Sequence, residues 1–133
     1  MKTITIKQPF ATLIAAGLKE YEFRTWKTNY RGKIYIHAGL GTDTKAIEKF
    51  KDYNLEYPKG EIIAVAELVD CIVIDEEVKK ELQEKNSLVY SGVIHDTSFQ
   101  GYGFQLANIR KVKPISVKGK LGLWNYEPET LEE

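Results

Sequence analysis

The 133-residue chain fits one compact domain and leaves no room for a second of ordinary size. With 43% hydrophobic residues, 29% charged residues and zero formal net charge, the composition argues against intrinsic disorder. The longest uninterrupted apolar stretch is Ile62 to Ala66, whereas a membrane span needs about 18 to 20 residues. We therefore expect a globular domain with no membrane association.

The first half of the chain alternates predicted strands with short helices. In order, the pattern predicts a strand over residues 2–7, a helix opening at Pro9, strands over 21–26 and 32–38, and a helix over 43–53 capped by Thr42. Pro9 suits a first helical position, where its missing N–H costs nothing. Gly17 is placed to end that helix in the left-handed conformation.

The second half is richer in strands. The pattern predicts a strand over residues 61–74, a helix over 75–85, a loop over 86–101, strands over 102–112 and 115–117, and a closing segment over 119–124. The strands number five or six, outnumber about three short helices and do not alternate regularly with them. This favours an α+β fold built on a small β-barrel. The predicted domain covers residues 1–126, and residues 127–133 form an acidic tail.

Charge is distributed unevenly along the sequence. Residues 1–39 carry seven Lys or Arg against two acids, residues 40–90 carry seven against twelve, and residues 97–126 carry basic residues and no acid. If the two basic segments meet in the fold, they form one face that attracts phosphates. The alternative is that these side chains are spread over solvated surfaces.

Cysteine and histidine usage bears on cofactors and compartment. Cys71 is the only cysteine, so no internal disulfide can form. The alternating pattern begins directly after Met1 and predicts no secretory signal. Both observations favour a cytoplasmic protein. Because two histidines and one cysteine at wide spacings match no ligand pattern, we expect no metal and no other cofactor.

The densest group of unusual residues falls between positions 17 and 32. The group comprises Gly17, Lys19, Glu22, Arg24, Trp26, Tyr30, Arg31 and Gly32. Two of the three arginines in the chain belong to it, and a guanidinium suits phosphates, carboxylates and aromatic planes. On a strand, Glu22, Arg24 and Trp26 share one face. That face would line a cleft, or it is an ordinary Glu–Arg ion pair at the rim of the barrel.

Four segments in this order resemble the ASCH domain, a branch of the PUA-like superfamily. They are Lys7-Gln8-Pro9-Phe10-Ala11, the stretch from Gly17 to Arg24, Tyr30-Arg31-Gly32 and Ile36-His37-Ala38. The second segment matches the family motif GxKxxExR at every defined position. The resemblance implies a PUA-like barrel in which this motif lines a cleft between the first helix and the sheet.

The resemblance also implies a ligand, because the family is generally inferred to bind RNA or modified nucleosides. Lys19 and Arg24 would contact phosphate or a base edge, and Glu22 would orient Arg24 or accept from a base amino group. Trp26 and Tyr30 would offer stacking surfaces, or they pack as hydrophobic residues under the loop. We expect this cleft to be lined by Lys19, Glu22, Arg24 and Arg31.

Hydrolysis is the second hypothesis. A related branch removes acetyl groups from acetylcytidine with a lysine, a threonine three residues later and a separate glutamate. Lys19 matches the lysine, but Glu22 stands at the threonine position, where it could act as a base rather than a nucleophile. Other members are ribonucleases, which implies phosphate stabilisation by Lys19 and Arg24. If the protein is an enzyme, the catalytic residues are Lys19, Glu22 and Glu67.

Two further residues have both a structural and a functional interpretation. Glu67 lies in the long strand, which we expect to be buried on both faces, so it pairs with Arg24 or Lys19 or takes part in chemistry. His37 is a satisfied structural histidine or faces the cleft as a proton carrier or hydrogen-bond donor. A third hypothesis is a protein-partner module that uses Trp26 and nearby aromatics.

Overall fold

The computed structural model describes residues 1–128 and shows short helices packed on a six-stranded mixed sheet. The strands are β1 Lys2–Gln8, β2 Tyr21–Arg24, β3 Gly32–Thr42, β4 Glu61–Val73, β5 Tyr102–Ser116 and β6 Leu123–Asn125. The α-helices are α1 Phe10–Ala15, α2 Thr44–Lys49, α3 Glu76–Asn86 and α4 Ser91–Ile94, with a 3-10 turn at Lys51–Tyr53. The expected α+β class, with six strands and a few short helices, is therefore confirmed.

The strand order is β2-β5-β4-β3-β1-β6, in which β1 and β3 are parallel and every other pair is antiparallel. Within residues 1–128 the sheet is not closed, so the expected barrel is corrected to an open sheet. A barrel requires its first and last strands to pair. Here the outermost strands have four and three residues, and each pairs with one neighbour.

Local differences from the predicted elements have identifiable causes. The predicted 43–53 helix divides at Phe50, and its cap is Asp43 rather than Thr42, because the Asp43 carboxylate accepts from the Ala46 N–H at 3.0 Å. The two last predicted strands form one continuous strand, β5, that contains Pro114. The predicted 86–101 loop includes α4.

The core consists of two apolar clusters that meet at α1. Ala11 and Ile14 pack with the buried residues of β1, β3, β4 and β5, whereas Leu13 packs with Phe50, Leu82 and Tyr90. Complete burial of one such aliphatic side chain contributes about 1.5 to 3 kcal/mol. The helix α1 is thereby fixed between the sheet and the α3–α4 region, and this fixes one wall of the cleft described below.

The C-terminal part of the domain packs onto β1. Trp124 of β6 is buried, and its indole N–H donates to Thr5 Oγ1 at 3.0 Å. Residues 129–133 of the expected acidic tail lie outside the described residues. No helix in residues 1–128 combines the length and apolar character needed to span a membrane.

Candidate functional site

A cleft of about 730 Å³ opens between α1, β1, β2, the end of β3 and the α4 region. The GxKxxExR motif contributes Lys19, Glu22 and Arg24 to one wall. The placement follows from local structure. Gly17 adopts a φ of 78° and ends α1, after which the Lys19 N–H donates to the Leu13 carbonyl. Pairing with β5 then fixes the direction of β2.

The three motif side chains form one continuous ion-pair network. Lys19 Nζ lies 2.9 Å from Glu22 Oε1, and Arg24 Nη2 and Nε lie 3.0 and 3.1 Å from Glu22 Oε2. Lys19 also donates to the Tyr21 carbonyl, and Arg24 Nη2 donates to the Thr5 carbonyl at 2.9 Å. Both oxygens of Glu22 are thus occupied by cations, so the carboxylate holds Arg24 in a fixed orientation.

Burial makes this network electrostatically strong. Lys19 is 2% exposed and Glu22 is 8% exposed. Burial alone would raise the pKa of Glu22, but the charges of Lys19 and Arg24 outweigh it and hold that pKa below its usual value. Burial lowers the pKa of the Lys19 ammonium, with Glu22 opposing the shift and Arg24 adding to it. One carboxylate therefore compensates two cations.

Aromatic side chains that line the same cleft lie beside the Lys19 ammonium. Lys19 Nζ lies 4.8 Å from the ring centre of Phe23 and 5.7 Å from that of Phe10. Tyr90 is buried, and its hydroxyl accepts from the Glu20 N–H at 2.8 Å. Burial raises the pKa of Tyr90 to about 12, so its hydroxyl stays neutral near pH 7. The cleft combines a fixed guanidinium with flat apolar surfaces.

The remaining residues of the sequence cluster lie outside the cleft. The Trp26 ring packs edge-on against Phe104 with centroids 5.1 Å apart. Tyr30 donates its hydroxyl to the Lys33 carbonyl at 2.5 Å. Arg31 donates to backbone carbonyls of its own turn and lies 3.6 Å from Asp70. The expectation that Arg31 lines the cleft with the motif residues is therefore wrong.

Glu67 and His37 also lie outside the cleft. Glu67 is partly exposed on β4, opposite Lys33 of β3 and Ala107 of β5. Within the described residues, Lys19 and Arg24 pair with Glu22, so the expected pairing with Glu67 is wrong. His37 is buried and lines a second, adjacent pocket.

Several cleft residues were not predicted from the sequence as site residues. Lys7 and Phe10 lie within a segment that carries the family resemblance, so that segment was a usable signal. Asp43, Tyr90 and Asp96 come from segments predicted as a helix or a loop, and nothing in their local pattern indicates a cleft. Across residues 1–128, no cluster of three or more His, Cys, Asp or Glu side chains has a metal-binding arrangement.

The open mixed sheet and the GxKxxExR cleft define a PUA-like domain. A family model of the ASCH domain matches residues 4–117, and the chain belongs to that family. The crystal structure of ASCH from Zymomonas mobilis superposes with a TM-score of 0.58 at 17% identity, over 86% of this chain and 72% of that one. A point mutant of the same protein gives 0.57 over 86% and 74%. These likenesses show the fold.

Curated relatives are longer proteins. Activating signal cointegrator 1 from Mus musculus is 26% identical over 94 residues, which are 62% of this chain and 15% of that protein. The Homo sapiens protein of the same name is 28% identical over 81 residues, 52% of this chain and 14% of that protein. The similarity thus concerns one segment of a much larger chain.

Proposed function

We propose that this protein binds RNA by holding one nucleotide or modified nucleoside in the GxKxxExR cleft. The observation that carries the proposal is the convergence of Lys19, Glu22 and Arg24 on a cleft of about 730 Å³. Small-molecule sites commonly have volumes of about 300 to 1,000 Å³ and a few fixed polar groups among apolar walls. A nucleoside fits this description.

Arg24 supplies the main polar contact. Its Nε and Nη2 atoms are held by Glu22 and Thr5, and Nη1 has no hydrogen-bond partner within residues 1–128. The side chain is 22% exposed, so a ligand can reach it. A donor fixed in this way contacts a base carbonyl or a phosphate oxygen without losing rotamer freedom on binding. Of the two roles considered for Glu22, the geometry favours orientation of Arg24.

The aromatic walls supply the second element of recognition. Phe10 and Phe23 flank Lys19 at the cleft. Stacking of a base on an aromatic side chain is worth about 1 to 3 kcal/mol in known single-strand binders. These phenylalanines take the stacking role that the sequence suggested for Trp26 and Tyr30.

Binding is favoured over hydrolysis by the state of Glu22. Its pKa is lowered by two cations that occupy both carboxylate oxygens, and such a carboxylate is a weak general base. A small hydrolase remains the second candidate because burial lowers the pKa of Lys19, which makes its amine easier to deprotonate. The partner-module hypothesis receives less support, since Trp26 is partly buried against Phe104.

A matched pair of substitutions at Gly92 tests the proposal. Gly92 lines the cleft, and a Cβ placed there meets no atom within 4 Å. Gly92→Phe should fill the cleft and weaken binding of a random single-stranded RNA pool by about tenfold or more, the effect of losing one stacked base. Gly92→Ala should change it by less than about twofold. Calorimetric titration of all three proteins makes the comparison.

A second assay separates binding from turnover. Acetylcytidine and single-stranded RNA are incubated with the wild type and with Lys19→Met, and the products are followed by chromatography. Turnover that disappears in Lys19→Met would favour the hydrolase. Equal RNA affinity of Gly92→Phe and the wild type would reject the cleft as the binding site.

A further inference from the structure

A second pocket of about 560 Å³ adjoins the cleft. The two share the wall formed by Thr5, Gly39 and Leu40. Thr5 packs directly against Gly39 in this wall. A Cβ at Gly39 would lie only 2.8 Å from Thr5 Cγ2, so the position has no room for a side chain. The far side of the pocket is the turn that leads into β6, residues 117–121. The two pockets therefore lie side by side, with these three residues between them.

Apolar side chains form the mouth of the second pocket. Leu40 is 77% exposed and Leu121 is 97% exposed. Neither contributes to the core, and both stand at the same opening. A flat apolar group such as a nucleobase, placed between them, would remove their side chains from water.

Positive charge surrounds the same mouth. Lys118 and Lys120 line the pocket and are exposed, and they belong to the 97–126 segment that contains no acid. Lys7, from the basic N-terminal segment, lines the adjoining cleft. The two basic segments therefore meet here, as the charge pattern suggested. The arrangement is complementary to the phosphate that joins two nucleotides.

A buried histidine supplies a polar group at the base of the pocket. His37 is 1% exposed, and its Nε2 lies 2.6 Å from the Val117 carbonyl. Because a carbonyl only accepts, Nε2 carries a proton, and in the Nε2–H tautomer the other ring nitrogen, Nδ1, is an acceptor. Nδ1 has no hydrogen-bond partner among the described residues, and a Cβ on Gly119 would lie 3.0 Å from it. A small outward shift of the turn would offer Nδ1 to a base amino group.

We infer that this second pocket binds the base of the nucleotide next to the one in the cleft, with Lys118 and Lys120 on the connecting phosphate. The inference rests on the proposed function and specifies its ligand as a single-stranded RNA of at least two nucleotides. A free nucleoside occupies only the cleft.

Chain length tests the inference. A mixture of the four 5′-mononucleotides and a random-sequence RNA tetranucleotide pool are titrated calorimetrically into the wild type. The tetranucleotides should bind about tenfold or more tightly than the mononucleotides, since one further base and phosphate are engaged. In Lys118→Gln/Lys120→Gln/Leu121→Ser this advantage should disappear, while mononucleotide affinity stays unchanged.

The control variant carries the same charge change elsewhere. Lys111 and Lys113 are exposed on β5 and do not line either pocket. Lys111→Gln/Lys113→Gln should keep the tetranucleotide advantage. The slope of log affinity against log salt should become shallower by roughly 0.7, the value for one phosphate contact, when the two pocket lysines are removed, and should not change in the control.

Fluorescence gives a local measurement. The Trp124 ring lies 5.7 Å from the His37 ring and 5.9 Å from Lys120 Nζ, whereas Trp26 packs on Phe104. With Trp26→Phe in the background, tetranucleotides should change the Trp124 emission and mononucleotides should not.

The outcomes separate the two proposals. Mononucleotide binding that Gly92→Phe abolishes, without any gain from chain length, would overturn the second pocket and leave the cleft standing. A chain-length gain that survives the triple substitution would also overturn it. Failure of both probes to bind would reject the cleft and the second pocket together.

Discussion

The GxKxxExR segment and the turn that follows it contain similar ion pairs in contrasting environments. In the segment, Arg24 lies 3.0 Å from Glu22, with side chains 22% and 11% exposed. In the turn, Arg31 lies 3.6 Å from Asp70, with side chains 41% and 52% exposed. Exposed pairs contribute about 0 to 1 kcal/mol, whereas removing one partner of a buried pair costs about 3 to 5 kcal/mol. The fold, not the residue type, separates a largely buried ion pair from a solvated surface pair.

This difference has a functional consequence. Arg24 is held by a carboxylate and a carbonyl, so the binding proposed above would require little further ordering of its side chain. Arg31 is held by carbonyls of its own turn and by a distant carboxylate. Neutralising the carboxylate of each pair should therefore give the clearest difference in unfolding free energy between the two pairs.

The largest expected effect comes from neutralising the two acids in turn. Glu22→Gln leaves the buried Lys19 and the partly buried Arg24 without a compensating charge and should lower the free energy of unfolding by about 3 to 5 kcal/mol. Asp70→Asn is the matched control and should lower it by at most about 1 kcal/mol. Urea unfolding followed by circular dichroism measures both. Equal effects of the two substitutions would show that burial does not distinguish the pairs.

Acid should remove the same stabilisation gradually. The pKa of Glu22 is lowered in the folded protein, so the unfolded chain takes up its proton first as the pH falls. The stabilisation is therefore complete above the ordinary carboxyl pKa of 4.5 and is lost as the pH falls through the lowered value. The difference in unfolding free energy between the wild type and Glu22→Gln should shrink across this window.

A second carboxylate makes that comparison necessary. Hydrogen bonds from Ser98 lower the pKa of Asp96 as well, so the wild type alone would report both groups. A difference between the wild type and Glu22→Gln that stays constant down to pH 2 would contradict the assignment to Glu22.

The smallest effect is expected at the exposed turn. Arg31→Ala should change the free energy of unfolding by less than about 1 kcal/mol. RNA affinity should also stay within about twofold of the wild type, because Arg31 lies outside both pockets. The binding titration used for Gly92→Phe checks this. A tenfold loss of affinity would place the RNA path across the turn instead of the cleft.

Much of the fold was predictable because its signals are local. Alternation predicted the strands at the N-terminus and after Gly60, and the left-handed Gly17 ended α1 as expected. The motif residues Lys19, Glu22 and Arg24 were also correctly grouped. Short spacing along one turn and one strand is sufficient to bring these three together.

The errors arose where a distant contact decided the outcome. In a strand extended to position 26, Trp26 would lie on the same face as Arg24. However, β2 ends at Arg24, and the Trp26 ring packs on Phe104 of β5. Arg31 follows the motif closely in sequence, but its side chain turns to carbonyls of its own turn and to Asp70 of β4. Pattern analysis of one segment cannot identify which partner from another segment is nearest.

The sequence by itself determined the strands, the first helix, the family motif and the separation of basic from acidic segments, because each depends on neighbours a few residues apart. The tertiary structure alone decided that the sheet stays open within residues 1–128, that Tyr90 and Asp96 line the same cleft as the motif, and that Lys118 and Lys120 line the same pocket as His37. These arrangements depend on strand order and core packing between distant segments, which determine the surroundings of a charged side chain and therefore what it can bind.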